Sequence, residues 1–410
     1  MKQPLTRFLS YVALDTQSQP GQEQVPSTPG QFTLARLLCQ ELTDLGAQGV
    51  ELTDHCHVYA TLPGNLPGAE AVGFIAHLDT SPAISGRDIR PRVVEDYDGG
   101  DILLNPETGC ILSAKEFPEL ARYKGQRLVV TDGSTLLGSD DKAGITEIMG
   151  MLEHYSEHPE LPHGDICVAF TPDEEIGRGT DFFDIPRFGA KLAYTVDGAD
   201  LGKISFENLN SAEARITVTG VSIHPGRGKN RLKNAILMAI QLQNMLPPAE
   251  TPSHTEGYEG FYHLTDFTGT VDKAELTYRV SDFDREGFQA RKDRLAAICD
   301  YLNGVHGPGS FAVSFRDVMR NMREAVEPHY HLVEHAMAAM RDVGVEPELM
   351  PCRGGTDGVR LSFLGLPCPN LNTGSHNCHG RYECVPVESI ERITEMLIAL
   401  VARFAKGAEA

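Results

Sequence analysis

The sequence predicts an α/β protein in which a mostly parallel β-sheet forms the main domain and a smaller domain is inserted into it. Three apolar runs rich in β-branched and aromatic residues are typical of strands buried on both faces: Val72–Ala76, Ile166–Phe170 and Leu192–Val196. A later change in the period of the apolar residues indicates the inserted domain. At 410 residues the chain is also long for a single hydrophobic core, which favours two domains.

Strand and helix patterns alternate along the main domain up to Asn208. The segment Ser27–Leu45 has leucines at positions 34, 37, 38, 42 and 45 on one helical face, and Gly46 is a typical residue to end such a helix. The other elements predicted for this domain are helices over Lys142–Tyr155, His329–Val343 and Val387–Phe404 and a short strand that ends at Asn370.

The inserted domain is predicted from an element order of β, α, β, β, α, β. This order is the signature of a ferredoxin-like fold and is complete within about one hundred residues. The predicted elements are strand Ala212–Thr219, helix Asn234–Leu246, strands Thr265–Thr270 and Lys273–Ser281, helix Asp284–Leu302 and strand Ser310–Asp317. The predicted boundaries are therefore 1–208 and 320–410 for the two parts of the main domain and 209–319 for the insertion.

Five short segments carry side chains that bind hard divalent metal ions, and three of them directly follow the predicted buried strands. Ligands of an open α/β sheet bind outside the carboxyl ends of its strands, so we expect these three segments to converge. The five segments are His77–Asp79, Ser139–Lys142, Asp173–Glu175, Val196–Gly198 and Cys378–Gly380. The last of them follows the insertion and the others precede it, so the main domain must be discontinuous.

The candidate ligands are too numerous for one metal ion. They are His77, His379, Asp140, Asp197 and either Glu174 or Glu175. A catalytic zinc ion takes three protein ligands and a water molecule, so two ions fit this set better. Imidazole and carboxylate ligands together suit Zn²⁺, with Mn²⁺ or Co²⁺ as substitutes, and a carboxylate such as that of Asp140 can bridge two ions about 3.5–4 Å apart.

The acidic residues beside these ligands have separate predicted roles. Adjacent side chains leave an extended segment in opposite directions, so one of Glu174 and Glu175 should bind metal and the other should act as a base. Asp79 lies two residues after His77 on the same strand face, and we expect it to accept a hydrogen bond from the second ring nitrogen. We interpret Asp141 as a contact to neighbouring backbone at the start of the following helix.

Composition excludes several classes of function. With 57 acidic and 36 basic residues the formal charge is −21, which disfavours a nucleic acid partner. The first residues lack the features of a signal peptide and no apolar run approaches the roughly 20 residues that span a bilayer, so we expect a cytoplasmic protein with no membrane partner. The residues Gly133–Gly138 and Lys142 lack the spacing of a nucleotide-binding P-loop. The nine cysteines are scattered, and we expect reduced thiols.

These segments resemble the M20 metallopeptidase family, and the resemblance covers nearly the whole chain. Besides the metal-binding segments it includes Phe206–Asn208, Glu256–Tyr262, Asn321–Glu324 and Arg353–Gly358. It implies an aminopeptidase that releases the N-terminal residue of tripeptides by attack of a hydroxide that bridges two zinc ions. Another hydrolase of the family, such as a dipeptidase or an N-acyl amino acid deacylase, is the alternative. A binding protein without catalysis is disfavoured, because no ligand or base is missing.

The resemblance also implies a role for each residue of the site. One zinc ion would bind His77 and Asp197, the other Glu175 and His379, and Asp140 would bridge them. Glu174 would be the general base. His224 matches a histidine of the inserted domain, called the lid domain below, that stabilises the oxyanion. Some members take this histidine from a partner subunit, so a homodimer stays open as an assembly.

The substrate contacts predicted in the lid domain rest on a departure from the family. Its tripeptide-specific members usually have arginine just before Asp-Phe-Asp, suited to a substrate carboxylate, and here that position is Ser281. Arg279 lies two residues earlier on the same strand face, and we expect it to bind the C-terminal carboxylate with the help of Arg353. Asn208 is expected to contact the substrate as well.

The remaining predictions concern the rim of the site and movement of the lid domain. We interpret His376 and Cys378 as residues that line the pocket. For His224 to reach the oxyanion, the lid domain should move, with hinges near Glu207–Asn210 and Asp317–Arg320.

Overall fold

The chain folds as two compact units in the computed structural model, which describes residues 3–198 and 200–406. Unit 1 comprises Met1–Phe206, Glu324–Met350 and Thr356–Ala410, and unit 2 comprises Glu207–Arg323 and Pro351–Gly355. Unit 2 therefore contains a short segment from the C-terminal part of the chain in addition to the sequence between the two parts of the main domain.

Ten α-helices lie within the described residues. They are α1 (Pro4–Val12), α2 (Gln31–Asp44), α3 (Ser139–Glu157), α4 (Ile185–Phe188), α5 (Ala235–Gln243), α6 (Arg285–His306), α7 (Arg323–Val326), α8 (His331–Asp342), α9 (Asp357–Phe363) and α10 (Val387–Lys406). Short 3₁₀ turns occur at Pro118–Tyr123, Glu174–Ile176, Pro225–Arg227 and Glu327–His329. Within 3–198 and 200–406, no helix combines the length and the apolar character that crossing a membrane requires.

Seventeen strands are present in the same part of the chain. They are β1 (Gln48–Leu52), β2 (Val58–Leu62), β3 (Val72–His77), β4 (Arg92–Val94), β5 (Ile102–Asn105), β6 (Cys110–Leu112), β7 (Leu128–Val130), β8 (Ile166–Thr171), β9 (Ala193–Val196), β10 (Lys203–Ser205), β11 (Asn210–Thr219), β12 (Phe261–Gly269), β13 (Lys273–Asp282), β14 (Phe311–Met319), β15 (Glu348–Leu349), β16 (Asn370–Leu371) and β17 (Cys384–Pro386).

The main sheet of unit 1 has eight strands in the order β1-β2-β8-β3-β9-β16-β10-β15. The central strands β8, β3, β9 and β16 run parallel to one another. Every residue of β3, β8 and β9 is buried, as continuous apolar runs predict for strands covered on both faces. The predicted fold class, α/β with a mostly parallel sheet, is confirmed.

A four-stranded antiparallel sheet in the order β12-β13-β11-β14 forms unit 2. Along the chain its elements follow the order β11, α5, β12, β13, α6, β14, so the predicted ferredoxin-like lid is also confirmed. Apolar side chains of the sheet, such as Ile216 and Leu276, pack with Leu242 of α5 and Leu302 of α6 in one core.

Two elements begin four residues away from their predicted starts: β12 begins at Phe261 and not at Thr265, and α2 begins at Gln31 and not at Ser27. The apolar pattern favours a helix from Ser27, but the helix begins at Gln31. The backbone N–H and the hydroxyl of Ser27 both donate hydrogen bonds to the carboxylate of Asp173, at 2.6 and 2.5 Å. This long-range contact holds Ser27 outside the helix, and Pro29 in addition disfavours helical backbone at Thr28.

One buried carboxylate of unit 1 has no partner for its charge. Glu147 on α3 is fully buried, and within the described residues neither of its carboxylate oxygens has a hydrogen-bond partner. Burial therefore raises the pKa of Glu147 well above its usual value. A carboxyl whose pKa is higher in the folded state than in the unfolded state stabilises the fold below the unfolded pKa and loses that contribution as pH rises.

We predict that Glu147→Met makes the free energy of unfolding less dependent on pH. Above the ordinary glutamate pKa near 4.3, the free energy of unfolding of the native protein should fall by up to about 1.4 kcal/mol per pH unit relative to this variant. The reason is that Glu147 ionises readily in the unfolded chain but not where it is buried. Urea unfolding from pH 5 to pH 9 measures the difference. Glu147→Gln is the matched control: it should abolish the same pH dependence but stay less stable than Glu147→Met by about 1–3 kcal/mol, because a buried amide keeps unpaired polar atoms. Parallel pH profiles for all three proteins would show that Glu147 is ionised and solvated in the fold.

Candidate metal centre

Three neighbouring strands deliver side chains to one end of the main sheet. His77 is the last residue of β3, Asp197 follows β9 directly, and the turn with Glu174 and Glu175 follows β8. Because β8, β3 and β9 are adjacent and parallel, their carboxyl ends meet at the same edge. The structure thus brings these segments together, as their placement after apolar runs predicts.

One group of ligand atoms lies around the imidazole of His77. Its Nε2 atom is 3.1 Å from Oδ1 of Asp140 and 3.8 Å from Oδ1 of Asp197. The ring of His77 and the carboxyl of Asp197 are both buried. The side chains of His77, Asp140 and Asp197 each offer an atom to a set that spans no more than 4.8 Å, which is compact enough to hold a metal ion.

A second group of ligand atoms lies on the other side of Asp140. Nε2 of His379 is 3.1 Å from Oδ2 of Asp140 and 3.0 Å from Oε2 of Glu175. Asp140, Glu175 and His379 form another set within 4.8 Å. The two oxygens of Asp140 therefore face different histidines, which is the arrangement a carboxylate adopts between two metal ions.

The charges of these groups are consistent with bound cations. Burial raises the pKa of Asp197 well above its usual value, and the nearby charge of Asp140 raises it further. Hydrogen bonds to Asp140 and Glu175 raise the pKa of His379 to about 11. Protonated histidines offset the carboxylates at this close range, and a metal ion bound here would take the place of those protons. Imidazole with carboxylate is a donor set that suits Zn²⁺, Mn²⁺ or Co²⁺. The residues present therefore fit a site for two divalent ions.

Asp79 orients the ring of His77. The Nδ1 atom of His77 lies 2.9 Å from the backbone oxygen of Asp79 and 3.4 Å from its carboxylate oxygen Oδ1. A proton on Nδ1 satisfies both oxygens and leaves the lone pair of Nε2 for a metal ion. The contact lies at the ring nitrogen at which the sequence predicts it, although the backbone oxygen is the nearer acceptor.

The carboxylate of Asp79 has a further function that sequence reasoning missed. It accepts hydrogen bonds from the backbone N–H groups of Glu174 at 2.9 Å and Glu175 at 3.2 Å. Asp79 is fully buried, so these contacts are protected from water. Asp79 thus contacts the imidazole at the end of β3 mainly through its backbone oxygen and fixes the two glutamates after β8 through its carboxylate.

The two glutamates differ in their contacts, but they lie in a 3₁₀ turn and not in the extended segment from which the sequence predicts such a difference. The carboxylate of Glu175 contacts His379. Glu174 belongs to neither set of metal-binding atoms. Burial raises the pKa of Glu174 well above its usual value, and the charges of Asp197 and Asp357 add to the increase. A carboxylate with a raised pKa is a stronger proton acceptor, which suits a general base.

Close packing between α3 and β9 brings Asp140 to the site. A Cβ atom at Gly144 would lie 2.1 Å from the backbone oxygen of Val196, so only glycine allows this approach. Asp141, the next residue after Asp140, accepts the backbone N–H of His77 at 3.0 Å. It therefore contacts backbone as predicted, but the backbone belongs to β3 and not to its own helix.

His376 does not line an open pocket. It is buried, with Nε2 2.7 Å from the hydroxyl of Tyr123 and Nδ1 3.2 Å from the carboxylate of Asp200. Cys378 is half-buried. The proximity of His376 to His379 in sequence gave no indication of this separate hydrogen-bonded group.

In unit 2, His224 and Arg279 are exposed. Nδ1 of His224 accepts the N–H of Gly226 at 3.2 Å, so the neutral ring carries its proton on Nε2 and can donate from there. Arg279 lies on β13 opposite Glu213 and His263 of the neighbouring strands.

The hydroxyl of Ser281 cannot take over the function of an arginine. It is buried and hydrogen-bonded to the hydroxyl of Ser211 at 2.8 Å. Arg279 is the exposed cation nearest to Ser281 on the same strand face, and this position is the reason for expecting it to bind the substrate carboxylate.

Arg353 and Asn208 make extensive contacts within unit 2. The guanidinium of Arg353 donates to the backbone oxygens of Gly257 and Glu259 and to the hydroxyl of Thr255, each at 2.9 Å. Through these contacts Arg353 holds the loop that precedes β12.

Asn208 is fully buried. Its amide donates to the backbone oxygens of Leu209 and Arg320 at 2.9 and 2.8 Å and accepts from Met322 N–H at 2.7 Å. Both N–H groups and the oxygen are thus engaged, which speaks for a structural role in place of the expected substrate contact. The segments near residues 208 and 320, expected to act as hinges, are joined by these hydrogen bonds.

Comparison with known proteins identifies the class of protein to which this chain belongs. The sequence model of Peptidase family M20/M25/M40 matches residues 129–403. The chain belongs to this family and is a peptidase, and the resemblance seen in the sequence is confirmed.

Individual relatives show which members of the family this chain is similar to. A curated protein named peptidase T from Halothermothrix orenii is 50% identical over 406 residues, which cover 99% of this chain and 100% of that protein. The structure of aminopeptidase PepT from Bacillus cereus superimposes with a TM-score of 0.78 at 22% identity, covering 98% of each chain. The YXEP protein of Bacillus subtilis, a dinuclear metal binding peptidase of family M20, gives a TM-score of 0.67 at 13% identity, covering 98% of this chain and 97% of that one. At these identities the two structures bear on the fold alone.

We predict that Asp79→Asn lowers activity about 10- to 100-fold, the usual effect of removing a residue that orients metal ligands. The amide can accept only through its oxygen, so at least one of the N–H groups of Glu174 and Glu175 loses its acceptor. Peptide hydrolysis and metal affinity measure the effect. Asp165→Asn is the control, because Asp165 accepts a backbone N–H from Gly64 at 2.8 Å beside the opposite end of β8. Equal loss in both variants would mean that the effect of Asp79 is general destabilisation.

Proposed function

We propose that this chain is a tripeptide aminopeptidase that works with two bound divalent metal ions, most simply Zn²⁺. The observation that carries the proposal is the position of Asp140, whose two oxygens face the nitrogen atoms of His77 and His379 at 3.1 Å each. In the proposed assignment His77 and Asp197 would hold one ion, Glu175 and His379 would hold the other, and Asp140 would contact both. The names and full-length similarity of the peptidase T relatives support the tripeptide substrate.

Bound metal ions would supply an activated water molecule and polarise the carbonyl of the scissile peptide bond. The protein supplies the proton transfers. Glu174 accepts the proton of the attacking water and returns it to the leaving amine, and its raised pKa suits both steps. Asp79 keeps the backbone of Glu174 in place by its hydrogen bond at 2.9 Å.

Two side chains of unit 2 complete the proposal. His224 donates a hydrogen bond from Nε2 to the oxyanion of the tetrahedral intermediate, for which its tautomer is suited. Arg279 binds the C-terminal carboxylate of the peptide by a charge-assisted hydrogen bond. Arg353 supports carboxylate binding indirectly, because its guanidinium holds the loop that contains Gly257 and Glu259.

Substrate comparison tests the proposed function directly. The zinc-loaded protein is incubated with a tripeptide, the dipeptide and the N-acetyl derivative of the same N-terminal amino acid, and kcat/KM is measured for each. A tripeptide aminopeptidase prefers the tripeptide and requires its free amino group. Preference for the dipeptide or for the N-acetyl amino acid would instead identify the dipeptidase or deacylase that the family also contains.

We predict opposite effects for the two adjacent glutamates. Glu174→Ala should keep its bound metal and lose turnover by roughly 10²–10⁴-fold, the range for loss of general acid–base catalysis. Glu175→Ala should weaken metal binding instead, because its carboxylate lies with Asp140 and His379. Metal analysis after dialysis, together with kcat, separates the two phenotypes. An exchange of these phenotypes between the variants would reverse the assignment of base and ligand.

We predict that Arg279 binds the negatively charged C-terminus of the peptide. Amidation of a tripeptide should raise KM about 10-fold or more in the native enzyme, because a charge-assisted hydrogen bond is lost, and should change little in Arg279→Ala. Arg215→Ala is the matched control, since Arg215 is an exposed arginine of β11 that pairs with Glu213 at 2.7 Å. Equal sensitivity of Arg279→Ala and the native enzyme to amidation would assign the carboxylate to another group.

A further inference from the structure

We propose that Glu383 is a positioning residue that fixes the peptide segment of Asp140 for metal binding. The inference rests on the proposed function, because it takes Asp140 as the ligand that both metal ions share. Glu383 is neither a candidate metal ligand nor a proton carrier in that proposal. Its importance comes from hydrogen bonds to the backbone on which Asp140 is carried.

The carboxylate of Glu383 receives four hydrogen bonds from four consecutive residues. Its Oε2 atom accepts the backbone N–H groups of Leu137 at 2.7 Å and Gly138 at 2.9 Å. Its Oε1 atom accepts the hydroxyl of Ser139 at 2.7 Å and the backbone N–H of Asp140 at 3.1 Å. One side chain thus accepts a hydrogen bond from every residue of Leu137–Asp140, the segment that leads into α3.

These contacts require an ionised carboxylate. Four donors converge on two oxygens, and only a carboxylate accepts at both positions. Glu383 is 2% exposed, so the hydrogen bonds are shielded from competing water. The segment needs this support, because Gly138 has a φ of +77° and the backbone of Asp140 and Asp141 is not helical, so regular helix hydrogen bonds do not hold it.

Glu383 is itself held firmly. The next residue, Cys384, begins β17 and pairs with Val130 of β7, and it also exchanges backbone hydrogen bonds with His376 at 2.8 and 3.0 Å. The N–H of Glu383 donates to the backbone oxygen of Gly380 at 3.2 Å, which closes the turn just after His379. Glu383 thereby connects the turn that bears His379 with the segment that bears Asp140. The distance between these two candidate ligands depends on that connection.

The experiment compares Co²⁺ binding by the native protein and by Glu383→Gln. The amide has one acceptor oxygen, so in either orientation at least one backbone N–H of the segment faces an N–H₂ group. Starting from metal-free full-length protein, competition with a coloured chelator gives the affinity for each Co²⁺ ion, and the visible spectrum reports the ligand geometry. We expect about 10- to 100-fold weaker Co²⁺ binding and a changed spectrum, with activity recovering as Co²⁺ is added in excess and with KM unchanged.

Glu388→Gln is the matched control. Glu388 also accepts a backbone N–H, that of Arg127 at 3.0 Å, but it contacts none of the residues that carry Asp140 in the described structure. The Glu388→Gln variant should therefore bind Co²⁺ with the affinity of the native protein. If Glu383→Gln fails to fold, Ser139→Ala replaces it, because that change removes only the hydroxyl contact to Glu383 and should still weaken Co²⁺ binding measurably.

Native affinity and a native spectrum in Glu383→Gln, or in Ser139→Ala where the first variant does not fold, would overturn the role of Glu383. The native protein gives the separate test of the proposed function. If it is fully active with one Co²⁺ ion bound, the two-ion site is wrong whatever Glu383 does.

Discussion

The site depends on one electrostatic constraint: three carboxylates and two imidazoles lie at the end of a buried sheet in two overlapping sets, each within 4.8 Å, that share Asp140. Asp140, Asp197 and Glu175 repel one another in this surrounding, where water screens little of the charge. Metal ions bound at these two sets would relieve that repulsion, and the surrounding hydrogen bonds hold the candidate ligands in place. The arrangement of α3, β3, β8 and β9 can be understood as the framework that holds these like charges together.

The framework is built from residues outside the two candidate ligand sets. Asp79 connects the end of β3 with the turn after β8, and Asp141 connects the start of α3 with β3. Gly144 permits the close approach of α3 to β9, and Glu383 holds the entry of the same helix. Each ligand-bearing segment is therefore tied to another by buried hydrogen bonds or close packing. Such support keeps ligands within the narrow range of positions that metal chemistry requires.

Much of this arrangement could be predicted because it follows from local pattern. Buried strands have a distinctive apolar run, and ligands that follow such runs must converge where parallel neighbours end. The positions of His77 and Asp197 follow from this rule. The order of elements in the lid domain could be predicted as well, because apolar residues recur every second residue in its strands and every three to four residues in its helices.

The parts that escaped prediction depend on contacts between distant residues. Ser27 leaves its helix because Asp173 binds it, and nothing in the surrounding sequence signals that pairing. Glu383 lies four residues after His379 without a spacing rule that would single it out. Asn208 looks like a polar residue available to a substrate until its buried contacts with the segment near Arg320 are seen.

The two-ion site is tested most directly by anomalous diffraction at the zinc edge from crystals of the zinc-loaded protein and of its Asp140→Ala variant. We expect two zinc peaks in the native protein on either side of Asp140, one beside His77 and the other beside His379. In the variant neither peak should reach full occupancy, because both ions lose a shared ligand. A single peak in fully active native protein, or two undiminished peaks after removal of Asp140, would contradict the central claim.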